Sequence, residues 1–185
     1  MLFRSNNFVD KDARPLAEGL KSSTTLQFLN LSRNSFCEAG GELLGLALEE
    51  NNSITELNLS WNHLRLRGAI AICKVMAKNS AIKILDLSWN GSADDGSEAM
   101  GNALKKNDAL LELDLSHNRI SEKGAFGLAK GLEISRRLRV LKIGFNPFGN
   151  PGAYAFLKAI EGNPNSALDE IHLDNITLKE NFKIL

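Results

Sequence analysis

LDLSWN, residues 85–90, comes back as LNLSWN at 57–62 and as LDLSHN at 113–118. The asparagine closing each phrase belongs to a series, Asn34, Asn62, Asn90, Asn118 and Asn146, whose members stand 28 residues apart. The same frame surrounds each one. Leu29 and Leu31 precede Asn34, and Leu57 and Leu59 precede Asn62. Leu85 and Leu87, Leu113 and Leu115, then Leu141 and Ile143 take the same places, with Leu26, Ile54, Ile82, Leu110 and Leu138 further upstream. Self-similarity at a fixed spacing outranks any local pattern, because it identifies a stacked array.

Leucines two residues apart point to one face of a strand. Past the asparagine the period changes to steps of three and four, as in Gly40, Leu44, Ala47 and Leu48 or Gly68, Ala69, Ile72, Val75 and Met76. The pattern repeats in Gly124, Ala125, Leu128, Gly131 and Leu132 and in Gly152, Ala153, Phe156, Ala159 and Ile160. Such a stripe predicts a helix with one apolar face. Each helix runs into Asn51, Asn79, Asn107 or Asn163, read as left-handed residues that end helices. One unit is a strand, a turn, a helix and a return loop. A lone unit cannot bury its apolar face, but stacked units can, with a parallel sheet inside the curve and helices outside. The repeated inner asparagine is expected to form a ladder that satisfies loop backbone groups.

The LxxLxLSxN phrase, its helix and the 28-residue period resemble the ribonuclease-inhibitor-type leucine-rich repeat family. That class includes the repeat tails of NOD-like receptors and the Ran GTPase-activating proteins. The resemblance implies an α/β, right-handed leucine-rich-repeat solenoid, a horseshoe with a parallel sheet on the concave face and helices on the convex face. The expected division is one domain over 1–185: a partial N-terminal repeat 1–25, repeats 26–165 and a C-terminal capping repeat 166–185. The first leucines of a frame are missing before Asn6, so the chain reads as a possible fragment of a longer array. The last unit, LDEIHLDNITLKENF at 168–182, follows two extra residues and has Ile176 in the asparagine's place.

Composition narrows the function. The chain has 185 residues, 43% apolar and 24% charged, with 22 basic against 22 acidic side chains. That balance gives no support to nucleic acid as a partner, and no run is long enough to span a membrane. The N-terminus, MLFRSNNFVDKD, lacks the apolar stretch of a signal peptide. Cys37 and Cys73 are read as reduced thiols of a cytoplasmic protein, with the nucleus as the alternative compartment.

Alternate strand positions face the concave surface. One row reads Phe28, Glu56, Ile84, Glu112, Val140 and Glu170, the next Asn30, Asn58, Asp86, Asp114, Lys142 and His172, and a third Ser32, Ser60, Ser88, Ser116, Gly144 and Asp174. At the rim lie Arg33, Trp61, Trp89, His117 and Phe145. The repeat needs leucines and asparagine but not tryptophan. Two readings stay open for the rim: mutual packing that stiffens the solenoid, or exposed anchors for a partner. The acidic rows divide in the same way, between a solvated face and a site for a partner carrying Lys or Arg. The candidate partner-binding residues are Arg33, Glu56, Asn58, Trp61, Asp86, Trp89, Glu112, Asp114, His117, Lys142 and Phe145.

Ser92 stands where the other repeats have Phe36, Leu64, Ile120 and Phe148, so residues 91–95 are expected to be mobile and to help shape the site. His63, His117 and His172 have no second ligand at metal spacing, and no nucleophile triad or glycine-rich phosphate loop is visible. The expectation is therefore a non-enzymatic scaffold without cofactor or metal, binding a protein or peptide with a basic patch. Two alternatives stand beside it. One is self-association into a homodimer through the open N-terminal edge. The other is GTPase regulation, by analogy with the Ran GTPase-activating proteins.

Overall fold

The computed structural model describes residues 1–176. Strands and helices alternate: α1 (Asp10–Ser22), β1 (Phe28–Asn30), α2 (Glu38–Glu50), β2 (Glu56–Asn58), α3 (Arg65–Val75), β3 (Ile84–Asp86), α4 (Ala93–Leu104), β4 (Glu112–Asp114), α5 (Glu122–Leu132), β5 (Val140–Lys142), α6 (Gly149–Glu161) and β6 (Glu170–His172). The strands form one parallel sheet in chain order. The register aligns the repeats residue for residue: Leu29 lies opposite Leu57, Leu57 opposite Leu85 and Leu85 opposite Leu113. This central row and the leucines two places on are buried, as are the apolar stripes of the helices. The α4 stripe is Met100, Ala103 and Leu104.

The inner asparagines form the expected ladder. The Asn90 amide Nδ2 donates to the carbonyls of Leu59 (2.9 Å) and Leu87 (3.1 Å), one in the preceding repeat and one in its own. Its Oδ1 accepts the Leu64 N–H. Asn118 and Asn146 act likewise.

The asparagines at the helix ends work differently from the expectation. Asn51 has φ −81° and ψ 126°, an extended rather than left-handed backbone. Its side chain, with those of Asn79, Asn107 and Asn163, builds a second buried ladder. The Asn79 Nδ2 donates to the carbonyls of Leu48 (2.8 Å) and Asn51 (3.0 Å), and its Oδ1 accepts the N–H groups of Ala81 and Ile82. Each such amide ties off the orphan carbonyls of the previous helix, which a left-handed residue would satisfy only within its own.

Ser92 is also not the gap its size suggests. It is buried, and its hydroxyl donates to Asn118 Oδ1 at 3.0 Å. A polar link to the ladder replaces the apolar anchor.

The two ends depart from the regular frame. Leu2 bridges Asn30 in parallel, and the Phe3 N–H donates to the Asn30 carbonyl at 2.8 Å, so residues 2 and 3 occupy part of the free side of β1. The Asn6 N–H joins the ladder through Asn34 Oδ1. At the other end Val140 lies opposite Glu170, a step two residues longer that absorbs the extra residues of GNPNSA. The closing unit's residues 177–185 lie outside the described residues. No helix among the described residues is long and apolar enough to cross a membrane.

Candidate functional site

The rim residue sits between a strand and the buried asparagine, where the chain must swing its next side chain inward. That turn requires a positive φ: 54° at Arg33, 55° at Trp61, 58° at Trp89, 56° at His117 and 56° at Phe145. Such a conformation suits glycine or asparagine and costs other residues about 1–2 kcal/mol. Here it carries large side chains. The backbone of each is held by the next repeat, with the Trp61 N–H on the Ser88 carbonyl (3.0 Å) and the Trp89 N–H on that of Ser116 (3.1 Å).

The consequence is a continuous stack. The rings of Trp61 and Trp89 lie 4.1 Å apart, those of Trp89 and His117 3.8 Å, and those of His117 and Phe145 4.3 Å, with planes within 16° of parallel. The Arg33 guanidinium caps the Trp61 face, 4.8 Å from the ring centre. The rings pack on each other, yet Trp61 and Trp89 each keep 41% of their surface exposed and Phe145 keeps 46%. Beside the stack runs an open cleft of about 610 Å³.

The concave rows are more committed to the fold than their charges suggest. Asp86 Oδ1 accepts the backbone N–H and the hydroxyl of Ser88, while its Oδ2 accepts the Asn58 amide at 2.8 Å. Asn30 and Asn58 hold Ser32 and Ser60 through the same turn, and Asp114 accepts the Ser116 N–H. The serines at 32, 60 and 88 are consequently buried and not part of an open concave row. Lys142 pairs with Glu112. That hydrogen bond, then the surrounding carboxylates, hold the Lys142 ammonium above its ordinary value. Asp114 titrates above the usual carboxylate range, first because burial strips its water and then because Asp86 repels its charge. Among the described residues, the exposed Glu56 carboxylate has no hydrogen bond or ion pair.

The eleven residues selected from the sequence divide between two clefts: Glu56, Asn58, Asp86, Glu112, Asp114 and Lys142 line one on the sheet, and Arg33, Trp61, Trp89, His117 and Phe145 line the other along the rim. His63, Arg65 and Arg119 also line the rim cleft and were missed. They sit one or three places after an asparagine, where the repeat frame imposes no residue type. No group of three or more His, Cys, Asp or Glu among the described residues is placed to hold a metal ion.

A family described as Leucine Rich repeat matches residues 50–73, 106–129 and 135–157. The chain contains leucine-rich repeats. Among solved structures, the repeat array is similar to leiomodin-1 actin-binding site 2, with a TM-score of 0.68 at 22% identity over 80% of this chain and 86% of that one. At that identity the likeness concerns the leucine-rich-repeat fold. No curated protein matches the chain.

Proposed function

We propose that this leucine-rich-repeat protein is a non-enzymatic interaction scaffold, of the ribonuclease-inhibitor repeat type and cytoplasmic, that binds a partner protein through its concave face and aromatic rim. The supporting observation is the stack from Arg33 to Phe145. It is a rigid, half-exposed aromatic strip beside a groove, and aromatic side chains of low residual entropy supply most of the binding energy at protein interfaces. A partner with a basic patch fits the exposed Glu56 and the half-buried Asp114 beside it on the sheet. Self-association through the N-terminal edge is the weaker proposal, because residues 2 and 3 already occupy part of it.

Capture of partners from cells by the native chain and by a Trp61→Asn, Trp89→Asn variant tests the reading. Asparagine suits the positive φ at both positions, so the variant sheds the aromatics while relieving strain of similar size to the lost stacking. Leu66→Glu, on the exposed side of α3, is the control. Loss of capture in the first and retention in the second is expected. Equal capture by native chain and tryptophan variant refutes the reading. Actin filaments are one partner to assay directly, because the structural neighbour is named as an actin-binding site.

A further inference from the structure

We propose that the groove beside the stack is a docking lane for an acidic, extended segment of a partner protein, opposite in charge to the sheet. The inference rests on the reading of the rim as a binding surface and adds the chemistry of what it takes.

The groove is lined by Arg33, Arg65 and Arg119 and by no carboxylate side chain. In a chain with as many acidic as basic residues, that is a local separation of charge. Elsewhere some cations are paired, as where Arg67 meets Glu38, Arg139 meets Asp169 and Lys142 meets Glu112. Among the described residues, none of the three groove guanidiniums has an ion pair. Arg33 has an aromatic ring for a neighbour instead.

All three arginines sit on strained backbone, Arg33 at φ 54°. Arg65 has φ 40° and Arg119 has φ 61°, a region where arginine is disfavoured and asparagine or glycine is not. Facing Arg65 is Gly91, at φ 67°, and a Cβ there would come within 3.9 Å of the Arg65 Cγ. A surface that needed only to turn the chain would place small residues at all three positions.

The stack favours carboxylates over nucleic-acid bases. Each internal ring has both faces covered by its neighbours, so no base can lie on them as single-stranded binders require. The ring edges remain, and these carry the positive side of the aromatic quadrupole. Arginine forks and ring edges together suit carboxylate oxygens. The reach also fits a peptide. Arg33, Arg65 and Arg119 belong to repeats one and then two strands apart, about 15 Å in total at roughly 4.8 Å per strand, which about five residues of extended chain span.

Both tryptophans of the chain lie in the stack, so tryptophan fluorescence, excited selectively over Tyr154, reports this groove. An octa-glutamate peptide, an octa-lysine peptide and octathymidylate are titrated separately against the native chain and an Arg65→Asn, Arg119→Asn variant. The glutamate peptide is expected to give a saturable change that raised salt weakens. The variant is expected to weaken it by about tenfold, through loss of two charge-assisted contacts, with an unchanged or higher Tm because asparagine suits both backbones. No saturable change with the glutamate peptide, or the same affinity in the variant, overturns the proposal. Tighter binding of octathymidylate than of the glutamate peptide overturns it in favour of single-stranded nucleic acid. Failure here with partner capture still lost in the Trp61→Asn, Trp89→Asn variant would remove the acidic-lane inference and leave the rim reading standing.

Discussion

Asn118→Ala tests the physical basis of the repeat. The Asn118 side chain is fully buried. Its Nδ2 donates to the carbonyls of Leu87 (2.9 Å) and Ser116 (3.1 Å), and its Oδ1 accepts from the Asn90 N–H (3.3 Å), the Ser92 N–H (3.1 Å) and the Ser92 hydroxyl (3.0 Å). Alanine removes all of these and strands groups that water cannot reach. A net hydrogen bond is worth about 1 kcal/mol and a stranded buried group costs about 1–3 kcal/mol. A total of about 4 kcal/mol is therefore expected. That is a large part of the roughly 5–15 kcal/mol that holds a domain folded. At about 2–4 °C per kcal/mol for a chain of this size, Tm should fall by about 8–16 °C. Urea unfolding followed by circular dichroism gives the free energy directly. Hydrogen exchange should place the loss between β3 and β4, since each repeat touches only its neighbours. A cost below about 1 kcal/mol would refute the reasoning, because it would mean that the asparagine marks the turn without holding it.

Other outcomes follow from particular contacts. Burial raises the Asp94 carboxyl, but hydrogen bonds from the Ser121 hydroxyl and N–H and from the Gly124 N–H, with Lys123 nearby, outweigh it and leave it below the usual range. A depressed carboxylate stabilises the fold above its unfolded value and loses that contribution as pH falls through its folded one. Asp94→Ala should therefore cost about 1 kcal/mol at neutral pH, with the difference from the native chain shrinking below about pH 4 in urea titrations. Gly101→Ala should cost about 3 kcal/mol, because its Cβ would come within 2.2 Å of the Gly127 carbonyl oxygen. Gly19→Ala, with nothing within 4 Å, should gain about 0.5–1 kcal/mol by thermal melt, through the helix preference for alanine. Burial pushes the Cys73 thiol up to about 12, so a thiol reagent should label the exposed Cys37 at once and Cys73 only on unfolding.

The fold was legible because it follows from spacing. The row from Leu29 through Leu141 falls in register strand by strand, and periodicity carries that information without any knowledge of neighbours. What periodicity cannot carry is the bonding partner. Asn34 is legible as a ladder residue, but Asn51 looks like a left-handed helix end, and only the geometry shows its amide reaching into the preceding repeat. The aspartates of LDLSWN and LDLSHN look like free charge, and only the geometry reveals Asp86 spending its oxygens on Ser88 and Asn58. Position placed the rim residues at the surface, but parallel stacking at 3.8–4.3 Å depends on side-chain torsions. Arg65 and Arg119 were invisible for a simpler reason: they occupy positions at which the repeat varies freely.

Fluorine NMR of protein carrying 5-fluorotryptophan at its two tryptophans, Trp61 and Trp89, most directly tests the claim that this face receives the partner. Addition of a captured partner is expected to move both resonances and to reduce their solvent isotope shifts as the rings lose water. Two unmoved resonances under saturating partner would contradict it, and would send the binding surface to the helical side of the array.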